Sequence, residues 1–264
     1  MITEQGIRGR FCAPVVKDIP IIAFSSTGST NDEAKRYAGS HHEKGRVLVV
    51  ADGQTAGRGR LGRSFLSPNG RGIYMSLLLI RPDLSPTDAP LITAYTATVV
   101  RQAIFELTAL DAKIKWVNDI TVGDKKLAGI LTEGALNPCG GYEYCVVGIG
   151  INTHGVDLPP EISDIATSLE LQSREIDRET LIARITELFF EKLDTAGTLA
   201  VTEEYRRHSS VLGRFVNVIR PNGSYSAKVV GISERCELIV ERDGVTETLL
   251  SGEVSIRPQQ TGAN

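Results

Sequence analysis

The sequence predicts an α+β protein in two parts: a larger domain of interleaved helices and strands over residues 1–209, and a small all-β barrel over residues 210–264. Three observations lead there. First, 264 residues with 41% hydrophobic and 23% charged side chains bury enough apolar surface for one large domain and a small companion. Second, strand-like and helix-like periodicities alternate along the chain up to about His208. Third, the pattern then changes to short strands divided by turn residues, the signature of a small barrel.

Residues 19–24 form a short apolar run that reads as a strand. Ser29-Thr30-Asn31-Asp32 opens a helix toward Gly39, with Ser29 and Asp32 at capping-box spacing and Gly39 as its stop. A β-branched run over 46–51 and a second apolar run over 72–80 are strands. Residues 90–109, small and aliphatic throughout, predict a long buried helix. Segments 113–117, 120–122, 126–133 and 142–151 follow as a dense strand series, with turns at Asn118-Asp119 and Gly123-Asp124. Asp177 caps a helix whose Leu181, Ile182, Ile185, Leu188 and Phe189 share one face. Beyond His208, the strands 214–220, 225–232, 237–242 and 246–250 are separated by Pro221-Asn222-Gly223, Ser233-Glu234-Arg235 and Asp243-Gly244, with 253–256 a possible fifth.

Composition excludes several classes. A net charge of −3 and a pI near 5.9 leave no basic imprint for nucleic acid outside one arginine loop. No apolar run has signal-peptide form or the roughly 18 residues of a membrane-spanning helix, so the expected location is the cytoplasm. Cys12, Cys139, Cys145 and Cys236 lack any paired or zinc-like spacing and read as buried small hydrophobes. His41, His42, His154 and His208 read as exposed, and no nucleophile elbow is present.

The chemistry concentrates in Gly57-Arg58-Gly59-Arg60-Leu61-Gly62-Arg63, in Lys115-Trp116-Val117-Asn118-Asp119 and in Lys126-Leu127-Ala128-Gly129-Ile130. Three glycines let backbone amides approach an anion, and three arginines repel one another until an anion arrives. The loop matches neither the Walker signature nor the dinucleotide fingerprint. It reads as part of a site for a nucleotide and an acyl phosphate. Each segment also has a plain structural reading: Ser29-Thr30-Asn31 as a helix cap, Asn118-Asp119 as a tight turn, Trp116 as core, and Gly148-Ile149-Gly150-Ile151 as a place for helix packing.

Taken in order, Ser29-Thr30-Asn31, residues 54–63, residues 115–119, Lys126-Leu127-Ala128-Gly129-Ile130-Leu131, Gly148-Ile149-Gly150-Ile151-Asn152 and Gly252-Glu253 resemble the biotin protein ligases, also called biotin–[acetyl-CoA-carboxylase] ligases. The resemblance implies a mixed-sheet catalytic domain related to class II aminoacyl-tRNA synthetases, followed by a Src-homology-3-like barrel. It implies that biotin and ATP form biotinyl-5′-adenylate, with Mg2+, and that a lysine of a biotin carrier domain, from a carboxylase or decarboxylase, takes the biotinyl group. It assigns Lys126, Asp119 and Arg60 to catalysis. Biotin contacts fall on Ser29, Thr30, Gln54, Gly57, Arg58, Gly59, Arg60, Lys126 and Gly129. Nucleotide contacts fall on Arg58, Arg60, Arg63, Phe65, Asn118, Lys126 and Asn152, and Asp119 is the candidate metal ligand.

Two departures stand out: Val117 where the family usually has Pro, and Phe65 where it often has Trp to stack on adenine. Only about twenty residues precede the first strand, too few for the winged helix-turn-helix of repressor-type members, so no DNA partner is expected, and a monomer or homodimer is. Two other readings stay open. A lipoate or octanoyl ligase or transferase of the same fold would leave the neutral polar set Ser29, Thr30 and Gln54 without a purpose, and a ligand sensor without turnover would leave Lys126 without one.

Overall fold

The structure, a computed structural model, describes residues 1–80, 82, 85–155, 163–193, 198–220, 223–250 and 253–256. Two sheets carry the fold. Strands β1 (Ile21–Phe24), β2 (Gly45–Ala51), β3 (Gly72–Ile80), β4 (Lys113–Lys115), β5 (Asp119–Val122), β6 (Lys125–Leu136) and β7 (Tyr142–Asn152) form a mixed sheet in the order β1-β2-β3-β7-β6-β5-β4. β1 and β2 are parallel and the other pairs antiparallel. Strands β8 (Phe215–Arg220), β9 (Gly223–Ile232), β10 (Leu238–Arg242), β11 (Val245–Leu249) and β12 (Glu253–Ile256) form an antiparallel sheet, ordered β11-β10-β9-β8-β12. The α+β architecture and the second, all-β sheet follow the expectation. Gly252, Pro221 and Asn222 lie outside the described residues.

The two faces of the large sheet have different occupants, because successive strand side chains alternate. Val47, Val49, Leu78, Ile80 and Val146 pack against Ala34 and Ala38 of helix α2 (Thr30–Ala38), after a short first helix, α1 (Glu4–Arg8). Leu48, Val50, Met75, Leu77, Ile130 and Ile149 point the other way, into the main core beneath α3 (Ala89–Thr108) and α4 (Arg178–Leu193). All five apolar positions foreseen on α4 are buried, and Asp177 caps its start by accepting from the Thr180 amide at 3.1 Å.

Several expectations need correction. Ser29 precedes α2 but makes no side-chain cap, and Asp32 does not reach back to it. Gln54 takes over, its Oε1 accepting the Thr30 amide at 2.8 Å, which satisfies one of the helix's orphan donors from a distant loop. Helix α5 (Thr198–Arg207) was not foreseen, and its buried Tyr205 donates to the Val117 carbonyl at 3.0 Å. Of the cysteines, Cys145 and Cys236 are buried, with burial pushing the Cys145 thiol up to about 12, whereas Cys12 and Cys139 are exposed. His208 and His154 are half-buried, the former 3.4 Å from the Glu204 carboxylate and the latter 2.9 Å from the Thr153 hydroxyl. No helix among the described residues is long and apolar enough to cross a membrane.

The second sheet joins the first through the segment that precedes β5. Trp116, 4% exposed, donates its indole N–H to the Cys236 carbonyl at 2.9 Å. From α5, Thr202 donates to the Glu234 carbonyl at 2.8 Å and Arg206 to the Ile232 carbonyl at 2.6 Å. Trp116 is therefore core.

Candidate active site

The site lies on the α2 face of the large sheet, where the strands stop being apolar. Residues directly opposite in an antiparallel pair share a face. Register pairs Ser76 with Gly148, Leu131 with Gly148, Gly129 with Gly150 and Asp119 with Gly129, so these residues line one lane across β3, β7, β6 and β5. The glycines keep the lane open. A Cβ on Gly148 would sit 2.3 Å from Asn31 Oδ1, one on Gly150 2.6 Å from the Phe65 ring, and one on Gly129 2.9 Å from Lys126 Nζ. Gly148→Ala is therefore expected to displace Asn31, destabilise the fold by about 1–3 kcal/mol and weaken ligand binding. Wild-type unfolding midpoint and ligand affinity would contradict this.

A β-bulge brings Lys126 onto that lane. Ile120 pairs with Ala128 but Thr121 pairs with Lys126, so Leu127 is an extra residue on β6. Leu127, Ala128 and Ile130 all enter the core, and Lys126 turns to the side that Asp119 occupies. Its Nζ lies 2.7 Å from Asp119 Oδ1 and 5.9 Å from the Phe65 ring centre. Its backbone is fixed by two further bonds, Lys126 N to the Ile165 carbonyl and Thr167 N to the Lys126 carbonyl, both 2.8 Å.

The arginine-glycine loop covers one side of the lane as a small hairpin: Phe65 N bonds the Gly57 carbonyl at 2.9 Å and Gly59 N the Arg63 carbonyl at 2.7 Å. Its tip turns through Leu61 and Gly62 at φ of 56° and 73°, a region that suits glycine and costs leucine. Gly57 lacks a side chain for a steric reason, since a Cβ would come within 2.5 Å of the Phe65 carbonyl oxygen. Arg60 Nη1 donates to Asn118 Oδ1 at 3.3 Å, and Asn118 donates in turn to the Ile130 carbonyl at 2.8 Å.

At the other end of the lane the walls are neutral and polar. Thr30 and Asn31, both buried, meet the Ser76 hydroxyl, whose single proton is shared between Thr30 Oγ1 at 2.8 Å and Asn31 Oδ1 at 2.6 Å. Gln54 accepts from Thr30 Oγ1 at 3.1 Å and donates to Ser67 Oγ at 3.0 Å.

Of the residues expected at the site, Ser29, Thr30, Arg58, Gly59, Phe65, Asn118, Lys126 and Gly129 line one cavity, together with Asn31, Met75, Gly148 and Gly150. Asp119 and Arg60 contact this wall through Lys126 and Asn118. Gln54 and Gly57 stand behind it, holding Thr30 and the loop. Arg63 is exposed, and Asn152 gives its amide to the Thr167 carbonyl at 3.0 Å rather than to the cavity. Sequence reading missed Asn31 as a wall residue, Ser76 and Glu133. Period-2 counting back from the core positions of β3 would have found Ser76.

Glu133 belongs to a charged cluster at the cavity's edge. Arg58 donates from both terminal nitrogens to Asp32, at 2.6 and 2.5 Å, and its Nη2 lies 3.6 Å from Glu133. Glu133 also accepts from Lys35 and Asn31, each at 2.6 Å. The Arg58 hydrogen bonds hold the Asp32 carboxyl below its ordinary range. Burial would raise the Glu133 carboxyl, but its bonds from Lys35 and Asn31 and the Arg58 charge lower it overall.

This arrangement, a glycine-cleared lane with ion-paired Lys126 and Arg58 beside a neutral polar end, has close parallels. The profile of the Biotin/lipoate A/B protein ligase family matches residues 23–152, and that of the Biotin protein ligase C terminal domain matches 211–257. The Bifunctional ligase/repressor BirA of Bacillus subtilis is 35% identical over 243 residues, covering 89% of this chain and 74% of that protein. The chain belongs to the biotin protein ligase family. The ligase is also 28% identical to the biotin–[acetyl-CoA-carboxylase] ligase of Mycobacterium tuberculosis over 87% of this chain and 86% of the other. A biotin protein ligase from Aquifex aeolicus, solved in complex with biotin and ATP, superposes with a TM-score of 0.74 at 30% identity, over 90% of this chain and 98% of that one.

Proposed function

We propose that this ligase activates biotin with ATP and transfers the biotinyl group to a lysine of a biotin carrier domain. A biotin carboxylate oxygen attacks the α-phosphorus, pyrophosphate leaves, and biotinyl-5′-adenylate forms. The carrier lysine, as a free amine, then attacks the acyl carbon; AMP departs and the nitrogen loses a proton to solvent. The observation that carries this reading is the Lys126 ammonium, delivered by the Leu127 bulge onto a glycine-cleared lane that ends in Thr30, Asn31 and Ser76.

In this reading Lys126 and Arg58 face the carboxylate and α-phosphate, stabilising the charge that gathers as two anions meet. Asp119 orients Lys126. Ser29, Thr30, Gly59 and Gly129 form the biotin wall, with Gln54, Gly57 and Arg60 supporting it, and Phe65 and Asn118 meet the nucleotide, with Arg63 at the loop's outer side. Asn152 is better read as fixing the 167 backbone. Magnesium fits as an ion carried by the triphosphate: Asp119 is already engaged by Lys126, and no cluster of three acid, His or Cys ligands occurs among the described residues. Residues 1–209 would perform activation, with residues 210–264 buttressing them, in the cytoplasm where ATP is plentiful. A lipoate substrate is less suited, since its apolar tail gives the neutral polar wall nothing to bond. The test is incubation with biotin, ATP, magnesium and a biotin carrier domain, read as the mass of the carrier lysine adduct. An unmodified carrier, or equal modification with lipoate, overturns the reading.

A further inference from the structure

Four charged side chains ring the edge of the cavity: Asp32 and Lys35 on α2, Arg58 on the loop and Glu133 on β6. Asp32 holds both ends of the Arg58 fork, at 2.6 and 2.5 Å, and Glu133 lies 3.6 Å from Nη2. Lys35 closes the ring, 2.6 Å from Glu133 and 3.8 Å from Asp32. The two acids stand on the elements that form the cavity walls, α2 through Thr30 and Asn31, β6 through Gly129 and Leu131.

Arg58 needs such an anchor. The hairpin fixes its backbone, but its long stem has many rotamers. A guanidinium has five N–H donors, of which Asp32 takes one at each terminal nitrogen and leaves the rest for another acceptor. The charges in the ring sum to zero, so the cluster fixes the guanidinium and adds no net charge beside the Lys126–Asp119 pair farther along the lane.

We propose that Asp32 and Glu133 are positioning residues for biotin activation, holding the Arg58 guanidinium at the cavity edge where it meets the reacting anion. The proposal rests on the reading of Arg58 given above. Asp32 side chain is 44% exposed, so Asp32→Asn keeps the shape of the site and removes one charge.

The test is steady-state pyrophosphate release by Asp32→Asn, Asp32→Glu, Glu133→Gln, Arg58→Gln and the Asp32→Asn/Arg58→Gln pair, with biotin and ATP varied in turn and the unfolding midpoint of each recorded. Asp32→Asn is expected to lower kcat by roughly tenfold with the KM of biotin and of ATP changed less and the midpoint kept, Glu133→Gln to act in the same direction, and Asp32→Glu to recover part of the loss. Once Arg58 is gone, losing Asp32 should cost nothing more. Wild-type kinetics in Asp32→Asn beside an impaired Arg58→Gln would overturn the positioning role while leaving the Arg58 assignment standing. A lowered KM would show that Asp32 competes with the substrate anion and would also overturn it. Wild-type kinetics in Arg58→Gln would remove both.

Discussion

Lys126→Ala is expected to lower biotin-dependent pyrophosphate release by a hundredfold or more while biotin binding falls much less. The reason is where the charge sits. Its Nζ is 2.7 Å from Asp119 Oδ1, on the lane that Gly129, Gly148 and Gly150 keep open. In the proposed reaction two anions meet there in a site less polar than water, where a fixed positive charge counts for more than it does in bulk solvent. Removal of one preorganised electrostatic partner in other enzymes costs roughly a hundred- to a thousandfold in rate. Lys126→Arg should rescue only part, because a planar fork on a longer stem does not occupy the same point. Near-normal release by a folded Lys126→Ala would move the catalytic charge to the arginine loop.

Trp116→Ala is expected to be the most destabilising single change considered, at about 3–5 kcal/mol for truncating a buried aromatic. Trp116 is 4% exposed and its indole bonds the Cys236 carbonyl, so the change opens a cavity and leaves a buried acceptor unpaired at the junction of the two sheets. Activity should fall with stability, since Trp116 precedes the Val117-Asn118-Asp119 turn that holds Arg60 and Lys126. Trp116→Phe separates packing from hydrogen bonding and should cost about 1–3 kcal/mol, the penalty of an unsatisfied carbonyl plus lost volume. Chemical denaturation checks both. An unchanged midpoint in Trp116→Ala would mean that this junction contributes nothing to the fold.

Much of the fold was legible because periodicity and turn chemistry are local. The apolar face of α4, the Asp177 cap, the Gly72–Ile80 strand and the short strands beyond His208 all follow from neighbours in the chain. What the residues alone left open was whichever feature depends on distant pairing. The bulge at Leu127 inverts the side that Lys126 faces, and alternation counted along β6 would have placed Lys126 opposite Gly129. The Asp32–Arg58–Glu133 cluster joins positions far apart in sequence, so Asp32 read as a capping residue. Gln54 read as a ligand contact, yet it caps α2 from another loop. The motifs pointed to the candidate site, and the register decides which members of each motif reach its cavity.

Biotin and the nucleotide are expected to meet on the glycine-cleared lane. The most direct measurement is a crystal structure of the protein with biotin and a non-hydrolysable ATP analogue. The biotin carboxylate is expected within hydrogen-bonding distance of Lys126 Nζ or the Arg58 guanidinium, the ureido ring against Thr30 and Asn31, and the adenine beside Phe65. Biotin bound instead in the groove lined by Pro20, Tyr37 and Leu79, beside Gly45 and Arg46 at the start of β2, would contradict it.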